Sequence, residues 1–408
     1  MKILYINSLY SPYIRGGAEL SLKLLVEGMQ ALGHEVVVLS MAEEDGLKVD
    51  LENGVKVYRA GLKNIYWPFD DKKQPTVKRL EWHLRDRYNE RMMGYVSEVL
   101  HAEQPEVVSC HNLAGWSVAV YDEIQKYGVP IIQVLHDLYL LCANSNMYKG
   151  DSPCHQICIS CKLLRIKHRK LSLNVTAVVG ISQSILSRFE QEGYFANAQK
   201  HVIHNTRTIP DPGPKAKREG NETLSIGYLG TLSKVKGIEW LIEEFQQSNI
   251  NATLHIAGKG KSDYEEHLKM KAKDPRIVFL GYVEFGKFFK SIDVLVVPSL
   301  WEEPLGMVAI EALAHHVPVI ANRAGGLKET VIDEENGLFC DAENPGTLGM
   351  AMRRLSEDFS LYNRVSGNAR NTVAEILNRD RLVQAYENVL KNALHSGNPK
   401  ITKHGRNS

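Results

Sequence analysis

The sequence lacks a long apolar run. In its 408 residues the hydrophobic stretches are no longer than a β-strand. A helix that crosses a bilayer needs about 20 consecutive apolar residues, so we expect no transmembrane span. The segment from Met1 to Asn7 has one lysine and an apolar stretch too short for a secretory signal, and a first strand is the better interpretation. The sequence therefore predicts a cytoplasmic protein.

A charge excess of either sign is also absent. The chain has 49 lysine and arginine residues against 48 aspartate and glutamate residues, a net charge of +1. This balance offers no general attraction for nucleic acid, which we therefore exclude as a partner. Hydrophobic residues make up 44% of the chain and charged residues 24%, as in a globular protein. Because 408 residues are too many for one ordinary core, we expect two domains.

Strand and helix patterns alternate along the chain. Ile3 to Asn7 has the apolar character of a strand, Ala18 to Leu32 has apolar residues at helical spacing, and His34 to Ser40 is a second strand. This β-α-β order predicts an α/β fold with doubly wound, Rossmann-like parallel sheets. The alternation continues, and Val77 to Ala102 is expected to form one long helix.

Residues 209–222, rich in proline, glycine and charge, predict a linker. We expect a first α/β domain in residues 1–206 and a second in residues 207–378. A C-terminal helix, residues 379–396, is expected to pack back on the first domain, and residues 397–408 are expected to be a polar tail. Two such sheets joined by a linker predict a ligand between them, at the carboxyl ends of both sets of strands.

Residues 298–312 are the most informative segment. A buried strand, Asp293 to Val297, leads into a loop, and an almost unbroken apolar helix from Leu305 to Ala314 follows. Glu303 stands just before this helix, where free N–H groups attract negative charge, and Glu311 lies inside it. A carboxylate in an apolar helix is costly unless something bonds to it. The segment suits an anionic ligand rich in hydroxyl groups, such as a nucleotide sugar.

Two glycine-rich loops lie where strands end. Gly16-Gly17 opens the first helix, and glycines there let a phosphate approach the backbone or simply form a turn. Residues 230–237 follow the first strand of the second domain. Lys236 stands there next to a helix N-terminus, where it is either suited to a diphosphate or simply solvated. The first loop is not the G-x-G-x-x-G of a dinucleotide-binding fold.

These features together resemble the group 1 glycosyltransferases, retaining enzymes of the GT-B type. The resemblance rests on the two α/β halves, on both glycine-rich loops, on Glu303-x7-Glu311, and on residues 316–320 and 325–329. It implies two Rossmann-like domains facing across a cleft, the first for an acceptor and the second for a UDP- or GDP-sugar donor. The acceptor is expected to be a glycan or a lipid-linked molecule, in cell-surface polysaccharide or glycoconjugate synthesis.

The resemblance also implies roles for individual residues. Glu311 is expected to bond the ribose hydroxyls and Glu303 the donor sugar. His136, at the end of a first-domain strand, is expected near the reacting sugar carbon, although a strand-end histidine bonded to backbone is the plainer interpretation. The groups expected around the diphosphate are Gly16, Gly17, Thr231, Lys236 and the N–H groups of Leu305, Gly306, Met307 and Val308. The catalytic candidates are thus His136, Glu303 and Lys236.

Thr231 departs from the family pattern, because an arginine that helps to hold the diphosphate is usual at its position. Threonine is neutral and cannot supply that charge. Lys234 is the residue that could replace it. If it does not, donor affinity or turnover is in doubt, and Thr231 then favours an alternative in which the protein binds a nucleotide sugar without catalysis.

The implied reaction is front-face attack, in which the leaving phosphate accepts the proton of the acceptor. Negative charge then builds on the diphosphate, where Lys236 and the helix N–H groups stabilise it. No Asp-x-Asp motif is visible, and no cofactor is expected for catalysis. A glutamate pair also suits a hydrolase, but a carboxylate that holds ribose is not free to attack. A nucleotide-sugar epimerase on the same fold is a further alternative, whereas a sugar phosphorylase would need a cofactor-lysine motif that is not found.

Four of the six cysteines lie close together with the spacing C-x11-C-x3-C-x2-C: Cys142, Cys154, Cys158 and Cys161. In a cytoplasmic protein four such thiols suit a structural zinc ion. An iron–sulfur cluster uses the same ligands, and four reduced thiols with packing roles are the remaining alternative. The insertion, residues 142–161, follows His136 and is expected to form part of the acceptor side.

A basic stretch comes next, with the cations Lys162, Arg165, Lys167, Arg169 and Lys170 between the apolar residues Leu163, Leu164, Ile166 and Leu171. Further positive charge in the same domain comes from Lys72, Lys73, Lys78 and Arg79. A basic amphipathic stretch predicts peripheral contact with an anionic membrane, at the inner face for a cytoplasmic protein. A solvated helix face is the alternative.

Zinc in the insertion is directly testable. Elemental analysis of purified protein should find one zinc ion per chain, and chelation should lower Tm, because structural zinc contributes folding free energy. Cys154→Ser should lose the metal, whereas Cys340→Ser, outside the insertion, should retain it. Metal-free protein whose Tm does not respond to chelation would contradict the zinc interpretation.

Overall fold

A computed structural model describes residues 1–396, apart from Asp71, Lys73, Asp151 and Asn221. The predicted polar tail and the predicted basic residue Lys73 lie outside the described residues. The chain divides into two compact units. The first unit holds Met1–Asn146, Gln156–His204 and the C-terminal helix from Asp380 onward, and the second holds Met147–His155 and Asn205–Arg379.

The first half of the chain alternates strands with helices, as its apolar pattern predicts. Its strands are β1 (Lys2–Ile6), β2 (Glu35–Ala42), β3 (Leu47–Glu52), β4 (Val55–Gly61), β5 (Val107–Cys110), β6 (Ile131–Leu135), β7 (Tyr148–Lys149), β8 (Ser152–Pro153), β9 (Ala177–Gly180) and β10 (Gln199–Val202). Its α-helices are α1 (Gly17–Ala31), α2 (Thr76–Asp86), α3 (Met93–Glu103), α4 (Ala119–Lys126), α5 (Ile159–Leu164), α6 (His168–Leu171) and α7 (Gln183–Gln191). Short 3₁₀ helices span Glu90–Met92 and Ser172–Asn174.

The first unit is built on an eight-stranded sheet in the order β10-β9-β6-β5-β1-β2-β4-β3. Neighbouring strands are parallel, except that β3 and β4 pair antiparallel. Ile3 to Ile6 of β1 are fully buried, as expected of a strand covered on both faces. Because parallel strands end at the same edge, the residues that follow β1, β5 and β6 lie side by side there.

The second half of the chain repeats the alternation. Its strands are β11 (Leu224–Leu229), β12 (Ala252–Ala257), β13 (Ile277–Gly281), β14 (Val294–Val297), β15 (Val319–Asn322) and β16 (Gly337–Cys340). Its α-helices are α8 (Ile238–Ser248), α9 (Ser262–Lys271), α10 (Phe285–Ser291), α11 (Met307–Ala314), α12 (Leu327–Thr330), α13 (Thr347–Glu357), α14 (Phe359–Thr372), α15 (Ala374–Leu377) and α16 (Arg379–Ser396), and a 3₁₀ helix spans Lys234–Lys236.

The sheet of the second unit has six parallel strands in the order β13-β12-β11-β14-β15-β16. Its core joins strand residues such as Ile226 and Val294 to helix residues such as Phe245 and Met352, all fully buried. The strand order reverses between β11 and β14, and an open α/β sheet binds its ligands at such a switch point. The loop with Lys236 follows β11 and the loop with Glu303 follows β14, so both leave the sheet there.

The C-terminal helix α16 packs on the first unit. His34 Nε2 lies 2.9 Å from Glu387 Oε1. At Gly28, in α1, an added Cβ would meet the Val383 side chain at 2.4 Å, so glycine permits the close approach of the two helices. Within the described residues, no helix is long and apolar enough to cross a membrane.

The single long helix expected over residues 77–102 is wrong, since α2 and α3 are separate. Between them the backbone of Asn89 leaves helical geometry, with ψ of 81°. The side-chain amide of Asn89 donates hydrogen bonds to the carbonyls of Lys63 at 3.3 Å and Gly115 at 3.0 Å. These bonds to distant backbone draw the chain out of the helix, and apolar periodicity cannot reveal them.

The loops after β11 and β14 are held together by backbone contacts. Gly237 has φ of +71°, and a Cβ there would stand 1.9 Å from the Pro298 carbonyl oxygen. The Leu300 N–H donates to the Val235 carbonyl at 2.8 Å. Glycine is required at position 237, both for the left-handed backbone and for the close contact.

Gly237→Ala should therefore destabilise the second unit far more than an ordinary glycine substitution. We expect the free energy of unfolding in urea to fall by at least about 3 kcal/mol, because strain and a steric clash add. Gly281→Ala is the matched control: its φ is +67°, but an added Cβ meets nothing within 4 Å. The control should lose only about 1–2 kcal/mol from the left-handed backbone, and equal losses in both variants would refute the contact argument.

Candidate functional site

The Glu303 carboxylate joins the two loops at the switch point of the second unit. It is buried, and its Oε1 accepts hydrogen bonds from Lys236 Nζ, from Ser299 Oγ at 2.7 Å and from Trp301 Nε1 at 3.0 Å. Among the residues that the structure describes, no donor bonds to the second oxygen, Oε2. One oxygen is thus fixed by the protein, and the other can accept a hydrogen bond from a ligand hydroxyl.

The charge state of Glu303 follows from these bonds. Burial by itself would raise the pKa of Glu303, because a carboxylate loses hydration there. The Lys236 ammonium and the three hydrogen bonds outweigh burial and hold the pKa below its ordinary value. Lys236 Nζ also lies 5.1 Å from the centre of the Trp301 ring. At neutral pH the loops therefore present a fixed anion and a cation side by side.

The N-terminus of α11 offers amide groups beside this pair. Gly306 precedes the helix with φ of +83°, and a Cβ there would meet the Leu327 side chain at 2.4 Å, so only glycine fits. The N–H groups of Ala309 and Ile310 both donate to the Gly306 carbonyl. Those of Met307 and Val308 precede the first intrahelical bond, and the helix dipole adds positive potential there. This helix end suits an anionic group.

Two further glycines set the backbone of Glu303. A Cβ at Gly325 would lie 2.2 Å from the Glu303 carbonyl oxygen, and the Gly326 N–H donates to that oxygen at 2.7 Å. Leu305 is also in contact, because a Cβ at Gly326 would stand 2.6 Å from its Cα. The glycine pair ahead of α12 therefore has a physical role, which is to let two stretches of backbone touch.

Glu311 lies on the one face of α11 that the core does not cover. Met307, Val308, Glu311 and His315 are half-buried, whereas the intervening residues of the helix are buried. At 3.6 residues per turn these four positions form one stripe. The stripe carries the Glu311 carboxylate on the same side as the first amides of the helix. The carboxylate of this apolar helix thus lies on the one side that the core leaves uncovered.

Arg207 is the partner of Glu311 in the second unit. Arg207 Nε lies 3.4 Å from Glu311 Oε1, and both side chains are largely buried. Burial raises the pKa of Glu311, and the Arg207 guanidinium opposes that rise. An arginine at this place offsets part of the cost of burying the carboxylate.

The loop after β11 places the two remaining sequence-predicted residues at its surface. Thr231 is exposed, and its carbonyl accepts a hydrogen bond from the Tyr228 hydroxyl at 2.9 Å. Lys234 is also exposed, at the start of the 3₁₀ helix that ends with Lys236. Of the two lysines, the one bonded to Glu303 is Lys236.

His136 belongs to the first unit and follows β6. Its Nε2 lies 2.9 Å from Nδ1 of His111, which follows the neighbouring strand β5, and the two rings stack 5.2 Å apart at 22°. His111 Nε2 lies 3.1 Å from Ser109 Oγ. All three side chains are buried. Ser109, His111 and His136 thus form one hydrogen-bonded chain at the carboxyl ends of adjacent strands.

The chain through His111 restricts the tautomer of His136. Burial, together with neighbouring His136, holds the pKa of His111 well below its usual value, so His111 is neutral. A neutral imidazole has one N–H, so His111 donates one of its two hydrogen bonds and accepts the other. His111 therefore couples the orientation of the Ser109 hydroxyl to the protonated nitrogen of His136.

Gly16 and Gly17 open α1 in the first unit, and both are exposed. The Gly16 N–H donates to Glu19 Oε2 at 2.8 Å, and the Gly17 carbonyl accepts from Ser21 Oγ at 2.8 Å. Glu19 thus already supplies a negative charge to this helix N-terminus. The structure thus explains Gly16 as a turn residue whose N–H is bonded to Glu19. A phosphate would have to compete with Glu19 for the N–H of Gly16.

The predicted metal ligands are divided between the two units, with Cys142, Cys158 and Cys161 in the first and Cys154 in the second. The pKa of the Cys161 thiol is raised by its hydrogen bond to Cys142 and by burial. In the described part of the chain, no group of three or more His, Cys, Asp and Glu side chains is arranged to hold a metal ion. Zinc therefore stays a prediction from the spacing.

Comparison with known proteins identifies the family. Residues 15–206 match the family described as Glycosyltransferase Family 4, and residues 223–358 match Glycosyl transferases group 1. A Klebsiella pneumoniae protein, described as an uncharacterized 42.6 kDa protein in the cps region, is 32% identical over 81% of this chain and 87% of its own length. The chain belongs to the group 1 glycosyltransferases.

Two further comparisons agree over nearly the whole length of this glycosyltransferase. An uncharacterized glycosyltransferase of Methanocaldococcus jannaschii is 28% identical over 97% of this chain and 99% of its own. Anabaena HepE, solved in complex with UDP and glucose, has a TM-score of 0.70 at 20% identity, covering 96% of this chain and 99% of that one. The two Rossmann-like halves of the transferase are those of the GT-B fold.

Sequence reasoning missed four residues of the transferase that bond to predicted ones: Ser299, Trp301, Arg207 and His111. Ser299 and Trp301 stand in the segment already singled out, as polar groups ahead of Glu303, and could have been proposed as its partners. His111 follows the strand parallel to that of His136, so strand adjacency was its available signal. Arg207 has no such signal, because nothing local connects it with α11.

Lys236→Met tests the charge pairing of Glu303 without any ligand. The variant leaves a buried carboxylate uncompensated, and we expect a stability loss at pH 8 of about 2 kcal/mol, less than for a fully buried pair because Lys236 is partly exposed. Wild-type Glu303, with its lowered pKa, contributes stability that is lost on acidification. In the variant, burial without the lysine would raise the pKa of Glu303, so Glu303 takes up a proton as the pH falls and is no longer a buried unpaired charge. The stability difference between variant and wild type should therefore shrink at low pH.

Lys234→Met is the matched control for urea unfolding measured across pH. It removes an exposed lysine from the same 3₁₀ helix, and its pH-dependent loss should be much smaller because solvent screens an exposed charge. A Lys236→Met loss that stays constant from pH 8 to pH 4.5 would show that packing of the lysine, and not its charge, stabilises the loops.

Proposed function

We propose that this glycosyltransferase transfers a hexosyl group from a UDP- or GDP-sugar to a glycan or lipid-linked acceptor, with retention of anomeric configuration, in cell-surface polysaccharide or glycoconjugate synthesis. The observation that carries the proposal is the half-buried stripe of α11, where Glu311 and the first helix amides share one face. A nucleoside diphosphate carries vicinal ribose hydroxyls and an anionic diphosphate. On this face the Glu311 carboxylate can accept hydrogen bonds from the hydroxyls, and the helix amides can donate hydrogen bonds to the diphosphate.

The donor is held by residues of the second unit. Glu311, paired with Arg207, accepts hydrogen bonds from the ribose hydroxyls. The diphosphate binds the N–H groups of Leu305, Gly306, Met307 and Val308, with Lys236 as the nearby cation. Glu303 Oε2 accepts a hydrogen bond from a sugar hydroxyl, because Oε1 is already bonded to protein groups. The solved complexes of HepE with UDP support a nucleotide donor of this kind.

The transfer step follows from where charge develops. The acceptor hydroxyl attacks the anomeric carbon on the face from which the diphosphate leaves, and its proton passes to a leaving-group oxygen. Negative charge grows on the diphosphate as the glycosidic bond breaks, and Lys236 and the α11 amides stabilise it without reorganising. The first unit contributes His136, whose orientation is set through His111, as a hydrogen-bonding group near the reacting carbon. No metal ion takes part in this scheme.

The acceptor and the location are parts of the same proposal. Staphylococcus aureus CapM, described as a capsular polysaccharide biosynthesis glycosyltransferase and 29% identical over 38% of this chain, supports a role in polysaccharide synthesis. The enzyme is proposed to be cytoplasmic and to associate peripherally with the inner face of the membrane, where lipid-linked acceptors are presented. A second candidate, donor binding without turnover, is favoured by Thr231 alone, because this exposed, neutral residue adds no charge to the diphosphate site.

A thermal-shift screen against UDP-, GDP- and ADP-sugars tests the donor site. One nucleotide class should raise Tm, and Glu311→Ala should weaken its binding on the order of tenfold to a hundredfold, because charged hydrogen bonds to ribose are lost. Glu302→Ala is the matched control, an exposed glutamate next to Glu303. It should keep the full shift.

A full shift in Glu311→Ala would show that the donor site is misplaced. Turnover is measured on the same protein as release of nucleotide, and retention as the anomer of sugar first released, read by NMR. Release of the inverted anomer would overturn retention. Binding without release of nucleotide, with any acceptor tried, would favour the second candidate.

A further inference from the structure

Helix α2 of the first unit shows an inverted amphipathic pattern. Val77, Leu80 and Leu84, spaced i, i+3 and i+7, are 77%, 53% and 48% exposed. The opposite face holds Trp82 and Asp86, which are buried. A helix of a globular domain normally turns its apolar side inward. Here an aliphatic stripe faces out, and a carboxylate lies in the interior.

Helix α5 and the turn after it repeat the inversion. Ile159, Leu163 and Ile166, spaced i, i+4 and i+7, are 78%, 60% and 63% exposed. Arg165, between them, is buried. The expectation that Arg165 belongs to an exposed basic face is therefore wrong, because tertiary contacts draw its guanidinium inward.

The two buried charges connect the two inverted segments. Arg165 Nη1 lies 3.8 Å from Asp86 Oδ2, Arg165 Nε donates to the Tyr139 carbonyl at 2.9 Å, and the Tyr139 hydroxyl donates to Asp86 Oδ2 at 2.6 Å. Lys167 Nζ lies 3.8 Å from the centre of the Tyr88 ring, just beyond α2. These contacts join the end of α2 to residues 165–167 through charged and aromatic groups, and the six exposed aliphatic residues lie in the segments on either side of this junction.

Cations outnumber acids near these aliphatic residues, and the exposed acid of α2, Glu81, is paired with Arg85 at 3.2 Å. Residues 152–189 contain no aspartate or glutamate. In the same stretch Lys162, Lys167, Arg169 and Lys170 are exposed, and Lys78 and Arg79 are exposed on α2. The chain as a whole is nearly neutral, so this concentration of positive charge is local. Aliphatic tips among cations complement an apolar layer that lies beneath anionic groups.

We propose that the aliphatic stripes of α2 and of residues 159–166, with their flanking lysines and arginines, form the face by which the enzyme docks on an anionic lipid bilayer. The aliphatic side chains enter the headgroup–acyl boundary, and the cations contact the lipid headgroups. The buried Asp86–Arg165 pair has a positioning role, because it holds both segments with their apolar sides outward. This docking face specifies the peripheral location within the proposed function and rests on that part of it alone.

Cosedimentation of the full chain with lipid vesicles tests the docking face. Wild-type protein should bind vesicles of equal parts phosphatidylglycerol and phosphatidylcholine more tightly than pure phosphatidylcholine. The double variant Leu80→Gln/Leu163→Gln should partition roughly tenfold more weakly, because apolar burial in the interface is lost. Lys162→Gln/Lys170→Gln should weaken binding roughly fivefold per lysine on the anionic vesicles, with little change on pure phosphatidylcholine.

The matched control is Val49→Gln/Leu51→Gln, which removes two equally exposed aliphatic residues, 55% and 76%, from the edge strand β3. It should bind anionic vesicles as the wild type does. Absence of wild-type binding, or an equal loss in the control, would overturn the proposal. Self-association of the wild type that Leu80→Gln/Leu163→Gln abolishes, without vesicle binding, would assign the face to a second copy instead.

The nucleotide-sugar thermal shift, measured on the same samples, separates this proposal from the donor site. A variant that loses vesicle binding but keeps the shift has lost only the docking face. A wild-type protein that binds vesicles but shows no shift with any nucleotide sugar would leave the docking face standing and the donor proposal refuted.

Discussion

A buried carboxylate destabilises the fold unless other groups bond to it, and Glu303 imposes this constraint on the second unit. Its Oε1 draws together Lys236 from the loop after β11 and Ser299 and Trp301 from the loop after β14. The glycines at positions 237, 325 and 326 serve the same requirement, since each lets another stretch of backbone come close enough for these bonds to form. One charge thereby orders the loops at the sheet's switch point.

The same region shows how an otherwise apolar helix carries a charged side chain on its uncovered face. Helix α11 is buried along most of its length, but its half-buried stripe ends at amides that no residue within the helix can satisfy. Glu311 lies on that stripe with Arg207 as its counter-charge. The two glutamates of the segment consequently differ in environment: a lysine lowers the pKa of Glu303, whereas burial raises that of Glu311 against an arginine. That difference separates their proposed roles better than their spacing does.

The first unit uses buried polar groups in another way. The chain from Ser109 through His111 to His136 fixes a side chain at the end of a strand, and the Asp86–Arg165 pair joins α2 to the residue that follows α5. In the second case the interior accepts charge and the surface accepts aliphatic side chains. Burying charges and exposing aliphatic side chains both reduce stability. Contact between this surface and an apolar partner is the natural explanation.

The sequence by itself determined the alternation of strands and helices, the family, and the segment with Glu303 and Glu311. These are local patterns of two to four residues or short motifs, and they can be read without knowing what packs against them. Only the tertiary structure decided the break between α2 and α3 at Asn89, the burial of Arg165, and the partners of Glu311 and His136. Each depends on a side chain meeting groups remote in the chain, and such encounters are set by sheet topology and packing, not by periodicity.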